Sequence, residues 1–294
     1  MRNELGMGND KLNVKKFLAT ICAAGLLMTG CGSDGGEVKD DSQAKIVKLG
    51  MIAHLNASEK QMEEYLFKVQ SNTRAKVVNH VPVFFDNLNS MEMAIEAGKV
   101  DEISTYKSVA DYLIANNDKF EHVNDDWIKG LADNFCFAVK DDDAALKADL
   151  DKVLAEMKGD GSLDKLIKEY VTDVDKGKTP PKVEVPKIDG ADTIKVGVTG
   201  DLPPLDLVLA DNSPAGFNTA LLAEIAKRLH KNVEVVQVDS GARAAALSAE
   251  QIDVIFWVAV PEDNIRPANI DTPDAIELSE PYFKDYISHI QLKK

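Results

Sequence analysis

The chain has 294 residues, with 34 Lys and Arg against 49 Asp and Glu, a formal net charge of -15. So acidic a chain lacks the basic surface that nucleic acid demands, and it does not adhere electrostatically to anionic lipid. Its apolar fraction of 45% is ordinary for a globular protein, and its length leaves room for one large domain or two medium ones.

The chain begins with a polar stretch that includes Lys15-Lys16, then an apolar run at 17–28, then Thr29-Gly30-Cys31 and a Gly/Ser/Asp-rich stretch at 32–41. A positive start, a short apolar core and small residues before the break describe a secretory signal peptide. The apolar core, about a dozen residues, is too short to span a bilayer. With Cys at the break, the segment resembles a bacterial lipoprotein signal. That resemblance implies cleavage before Cys31, acylation of the Cys31 thiol, and a protein that works outside the cytoplasmic membrane on a lipid anchor. Residues 1–30 are then signal peptide, and 31–44 a flexible tether. Cys22 leaves with the signal and Cys31 is consumed. Cys136, in the apolar run 135–139, remains as a small buried hydrophobe.

A Pro/Lys linker at 173–190, with Thr179-Pro180-Pro181 and Val185-Pro186, divides the rest into halves at 45–172 and 191–294. Each half opens on a short buried strand (46–52; 193–199), followed by a helix-period segment (58–70; 218–229) and a second strand (76–85; 232–238). Met62, Tyr65, Leu66 and Val69 share one helix face, as do Leu221, Leu222, Ile225 and Leu229. The second strands end in Asp86 and Asp239. Short helices at 90–96 and 242–248 lead to Val100-Asp101 and Ile252-Asp253, each opening a third strand. This β-α-β-α-β order calls for parallel sheets covered on both faces, and the matched order reads as an internal duplication. The first half continues through helix 109–116, strand 135–140 and helices 144–157 and 163–171. The second runs through strand 254–258 and a loop with Pro261, Pro267 and Pro273 to a last strand at 286–292.

At these residues the chain resembles the extracellular solute-binding proteins of ABC importers, family 3, the polar amino-acid-binding type. The second half is similar to that family's first lobe in Val196-Gly197-Val198, Pro203-Pro204, Gly216-Phe217, Ile252-Asp253 and Leu278-Ser279-Glu280-Pro281-Tyr282. The first half resembles the second lobe in residues 94–101 and 109–113. Residues 137–140 and 146–170 resemble the closing helices. The resemblance implies a type II periplasmic-binding-protein-like α/β fold, two lobes around a cleft. It also implies a monomer that delivers a small polar solute to an ABC permease in the membrane. The order is rearranged relative to that family, as in a circular permutation. Two truncated binding domains side by side are the alternative.

In an open α/β sheet, ligands sit beyond the carboxyl ends of the strands. The candidates in the second half are Asp201, Asp239, Ser240, Arg243 and Trp257, with Phe217 and Asn218 opening a helix. Arg243 and Arg266 are the cations placed to grip a carboxylate. In the first half the candidates are Asn56, Ser58, Asp86, Asn87 and Tyr106. Ser58 with Gln61 also reads as a capping box, and Asn218 as an N-cap. Thr105-Tyr106-Lys107 stands where the family often places an ammonium-binding Asp, so an organic acid, a peptide or another polar solute stays open beside an amino acid. No catalytic order and no HExxH motif is present. The five His are scattered, each reading as a surface or capped residue, and no cofactor or metal is expected. The rival functions are an enzyme on the same fold, of dehydratase or cell-wall lyase type, and a non-transport interaction lipoprotein.

Overall fold

A computed structural model describes residues 46–72, 78–174 and 180–294. The predicted signal peptide, Cys31 and the tether lie outside these residues. In chain order the elements are β1 (Ile46–Ile52), α1 (Glu59–Asn72), β2 (Asn79–Phe85), α2 (Leu88–Glu96), β3 (Glu102–Tyr106), α3 (Lys107–Asn116), β4 (Phe120–His122), β5 (Ala132–Lys140), α4 (Ala144–Asp160) and α5 (Ser162–Ile167). Then follow β6 (Thr193–Val198), β7 (Asp201–Leu202), β8 (Asp206–Val208), β9 (Pro214–Ala215), α6 (Gly216–Leu229), β10 (Asn232–Gln237), α7 (Arg243–Ser248), β11 (Val254–Pro261), β12 (Ile276–Leu278) and β13 (Phe283–Leu292).

Both halves are built around a central parallel strand. β1 lies between β2 and β3, and β6 between β10 and β11, all parallel. Alternation along β1 sends Leu49 and Met51 against Met62, Leu66 and Val69 of α1. Gly50, between them, faces Met91 of α2, where a Cβ would lie 3.0 Å from the Met91 side chain. Gly197 holds the matching place in β6, and a Cβ there would lie 2.5 Å from Ile252. The Asp of each hydrophobic-Asp pair has the same task in both halves. Asp101 accepts from the Lys48 N–H at 2.8 Å and returns its own N–H to the Lys48 carbonyl at 2.8 Å. Asp253 does so with Lys195, at 2.7 and 2.8 Å. A carboxylate thus closes the start of the third strand onto the first.

Two strands cross between the lobes. The sheet path runs β10-β6-β11-β5-β13-β3-β1-β2. β13 pairs with β5 through Phe283–Tyr286 and then with β3 through Ile287–Ile290, both antiparallel. β5 pairs with β11 on its other edge. Helices α4 and α5 pack on α6, so residues 132–172 lie against the second half although they precede the linker. The described part of that linker is extended and docked: Ile188 and Asn232 exchange hydrogen bonds at 2.8 and 3.0 Å. The small sheet β7-β8-β9 and the strand β4 were not anticipated from the sequence. Strands of two or three residues carry no hydrophobic period to read.

Candidate functional site

The carboxyl ends of β1, β3, β6 and β11 converge on a cavity of about 110 Å³ lined by both lobes. A water needs ~10–15 Å³ on this measure, so the space holds several waters or a small solute. Of the residues expected at a site, Tyr106, Ser240, Arg243, Trp257 and Arg266 line it.

Trp257 reaches the cavity because the backbone is bent there. Its φ is +60°, and the β5–β11 register slips between Ile255 and Val258, a bulge that re-aims the side chain. A bulky residue at positive φ is strained and persists only where neighbours over-determine it. Here the Tyr282 hydroxyl accepts from the Trp257 N–H at 3.1 Å. Arg243 Nη1 donates to the carbonyls of Phe256 and Trp257 at 2.8 and 3.0 Å. Arg243 also donates to the Ser240 carbonyl and hydroxyl, both at 3.1 Å, which leaves one Nη2–H. The indole Nε1 of Trp257 is buried without a hydrogen-bond partner.

Arg266 is neutralised within the protein. Its guanidinium pairs with Asp133 at 2.7 Å and Asp263 at 2.6 Å. Tyr106 donates its hydroxyl to the same Asp133 at 3.0 Å. Asp271, which sequence reasoning missed, ties the lobes together at the cavity wall. It accepts from His54 Nδ1 at 3.0 Å and the Leu55 N–H at 2.9 Å in one half, and from the Ala259 N–H at 3.2 Å in the other. Burial pushes its carboxyl up, but His54, Arg243 and the Leu55 N–H pull harder and hold it below the usual range. The only sequence signal was an Asp in a Pro-rich loop, which names no partner.

The remaining expected residues lie elsewhere. Phe217 is fully buried among Trp257, Tyr282 and Phe283, an aromatic core position. Asn218 is buried beside Asp206. Asp201, in β7, reaches into the other half and accepts from the Asn89 N–H at 3.1 Å, at the start of α2. Asn87 is the N-cap of that helix, accepting from Ser90 N–H at 2.9 Å. Ser58 forms the capping box with Gln61, through bonds of 2.9 and 3.4 Å. Asn56 donates to the carbonyls of Asn269 and Thr272. Asp86 and Asp239 are exposed, and the Asp86 carbonyl accepts from Ser240 N–H at 3.1 Å.

The histidines are not all scattered in space. His80 on β2 and His289 on β13 face Glu102, at 3.6 and 3.5 Å, with Asp125 close by. Cys136 is buried, and burial pushes its thiol up to about 11, which suits a core residue rather than a nucleophile.

Residues 194–264 match the family model of bacterial extracellular solute-binding proteins, family 3. The segment runs from β6 through β11 and includes Trp257 and Arg243. Among solved structures the chain is similar to an ABC transporter periplasmic substrate-binding protein from Coxiella burnetii, at 14% identity and TM-score 0.40 over 84% of this chain and 85% of that one. It is similar to the ligand binding component of an ABC-type import system from Staphylococcus aureus, with zinc bound, at 13% identity and TM-score 0.39. That alignment covers 84% of this chain and 66% of the staphylococcal one. It is also similar to the GluR0 ligand-binding core from Nostoc punctiforme in complex with L-glutamate, at 10% identity and TM-score 0.37 over 84% and 85%. No curated protein matches by sequence. The described residues form two α/β lobes around a cleft. Among the described residues no helix is long and apolar enough to cross a membrane.

Proposed function

We propose that this protein is a lipid-anchored, extracytoplasmic binding protein that delivers a small polar solute, an amino acid or a relative, to an ABC importer. The observation that carries the reading is the cavity at the strand ends, lined from both lobes, in a chain whose residues 194–264 match that family. Binding is reversible and accompanied by lobe closure, with Cys31 as the lipid attachment.

The lining charges favour a neutral or zwitterionic solute. Arg266 is matched by Asp133 and Asp263, and Arg243 faces Asp271. The groups left over are donors: the Trp257 indole N–H and one Arg243 Nη2–H. Both call for an acceptor oxygen on the solute, while the Met51, Met62 and Leu66 side of the cavity calls for an apolar body. The rearranged order reads as a circular permutation. It is supported by β5 and β13 both running between the lobes while α4 and α5 pack on the second half. Joining old ends that lie close together on a surface is well tolerated.

A thermal-shift screen over amino acids, organic acids and short peptides tests the reading. A solute present at 100 times its Kd adds about 2.7 kcal/mol to stability. The hit should then bind more weakly to Trp257→Phe, which keeps the ring and loses the donor, and should be recovered unchanged after incubation. A screen with no hit, or a solute that is turned over, counts against it. Cys31→Ser should abolish lipid labelling and membrane attachment.

A further inference from the structure

We propose that His80, Glu102, Asp125 and His289 form a site for a divalent transition metal of the zinc class, which pins the crossing strand β13 to the sheet of the first half. The four come from four separate places: β2, the first residue of β3, the loop after β4, and β13. His80, Glu102 and His289 are 5%, 8% and 1% exposed. Three of their polar atoms, His80 Nε2, Glu102 Oε2 and His289 Nδ1, are buried without a hydrogen-bond partner. An unsatisfied buried polar group costs about 1–3 kcal/mol, and native interiors hold few of them. Here three converge on one point.

The spacing is that of a coordination shell. Glu102 Oε2 lies 3.6 Å from His80 Nε2 and 3.5 Å from His289 Nδ1, and one ligand atom from each of the four residues falls within 4.8 Å of all the others. Zinc bonds to N and O of ~2.0–2.1 Å in a tetrahedron put ligand atoms about 3.3–3.4 Å apart. A direct hydrogen-bonded His–Glu–His triad would instead bring those atoms to about 2.7–2.9 Å. Two imidazoles and two carboxylates are a donor set that zinc accepts.

The surrounding groups orient the ligands as outer partners do in metal sites. His80 Nδ1 faces the Val78 carbonyl at 3.3 Å and the Gln70 side-chain amide. With the Gln70 amide turned so that its carbonyl oxygen faces Nδ1, the Nδ1 proton finds acceptors on that side and the Nε2 lone pair is left for the metal. The Trp127 indole N–H donates to Asp125 Oδ2 at 3.1 Å, and its ring lies against both His80 and His289. His80, Glu102 and Asp125 belong to the first half, and β13 contributes His289 where it pairs with β3. Lobe closure leaves such a set intact, so the metal is a structural part and not a transported cargo.

The test uses the full chain, stripped with a chelator, equilibrated with zinc and desalted. One zinc per chain should be retained, with a rise in Tm, and cobalt should give the visible spectrum of a four-coordinate ion. His289→Ala and Glu102→Gln should weaken zinc binding by more than the roughly 10–100-fold typical of losing an outer partner, and Trp127→Phe by about that amount. His230→Ala, at an exposed helix end, should leave binding unchanged. Circular dichroism establishes folding, and the nearly isosteric Glu102→Gln keeps the test open where His289→Ala does not fold. A folded wild-type chain that retains no zinc overturns the site. So does stoichiometric zinc that survives both ligand substitutions, or a cobalt spectrum that is not four-coordinate.

Discussion

Two buried polar assemblies border the same cavity, and they are finished to different degrees. Around Asp271 each carboxylate oxygen has a donor: His54 and the Leu55 N–H on one, the Ala259 N–H on the other. Around Glu102 the facing atoms of His80 and His289 stand 3.5–3.6 Å off with no hydrogen bond made. A closed network is a structural joint, because every group in it already has what it lost from water. An open one of the same composition is a receptacle. Substitution separates the two. Asp271→Ala strands two backbone N–H groups, His54 and the nearby Arg243, so it should cost on the order of 3–5 kcal/mol in denaturant unfolding. That loss should be the same with and without zinc. Any loss in Glu102→Gln should grow when zinc is added to the wild-type reference. If the Asp271→Ala penalty were zinc-dependent, the distinction between joint and receptacle would fail.

Asp201 lies between these extremes, and pH sharpens the contrast. Burial pushes its carboxyl up to about 6; the Asn89 N–H resists, and Asp206 adds to the push. One oxygen bonds the Asn89 N–H across the halves, and the other is buried without a partner. A folded-state pKa raised above the unfolded value of about 3.9 means that the stabilised form is the protonated one. Its contribution is fully present below about pH 4 and is lost as pH rises through about 6, up to about 3 kcal/mol in all. Asp201→Asn carries no such titration. The variant should gain stability on wild type as pH climbs from 4 to 7, read as a difference in Tm between the two proteins at each pH. A difference that is flat across that range would show the carboxylate to be as well satisfied as that of Asp271.

What was legible in the sequence follows from how local each signal is. Strand alternation, the stripe Met62-Leu66-Val69 and the paired motifs Val100-Asp101 and Ile252-Asp253 are written within a few residues, and the structure gives each a physical task. The cavity was half legible: strand ends pointed to Arg243, Trp257 and Ser240, because topology puts strand ends there, whereas Tyr106 was singled out by the family resemblance and Arg266 as a cation suited to a carboxylate. Their partners were not legible. Asp271 meets His54 across 217 positions, and His80 meets His289 only after β13 has crossed between lobes. Phe217 and Asn218 were drawn toward the site by their place at a helix start, but an aromatic there serves the core as readily as a ligand. Asp201 was expected at the cleft and instead caps a helix of the other half, a long-range contact that no spacing announces.

The smallest expected effect belongs to a closed motif on the surface. Ser58 and Gln61 satisfy each other at the start of α1: the Ser58 N–H and hydroxyl donate to Gln61 Oε1, and the Gln61 N–H reaches the Ser58 hydroxyl. The motif was readable because both partners lie within one turn. It needs no ligand, although a helix N-terminus can also hold an anion. Ser58→Ala should therefore cost about 1 kcal/mol of stability, the usual value of an N-cap. It should leave the affinity for any solute found in the screen unchanged, since Ser58 is exposed and does not line the cavity. Calorimetric titration of the variant decides between the two roles. A loss of affinity well beyond the loss of stability would move Ser58 from the helix cap into the binding site, and with it the start of α1.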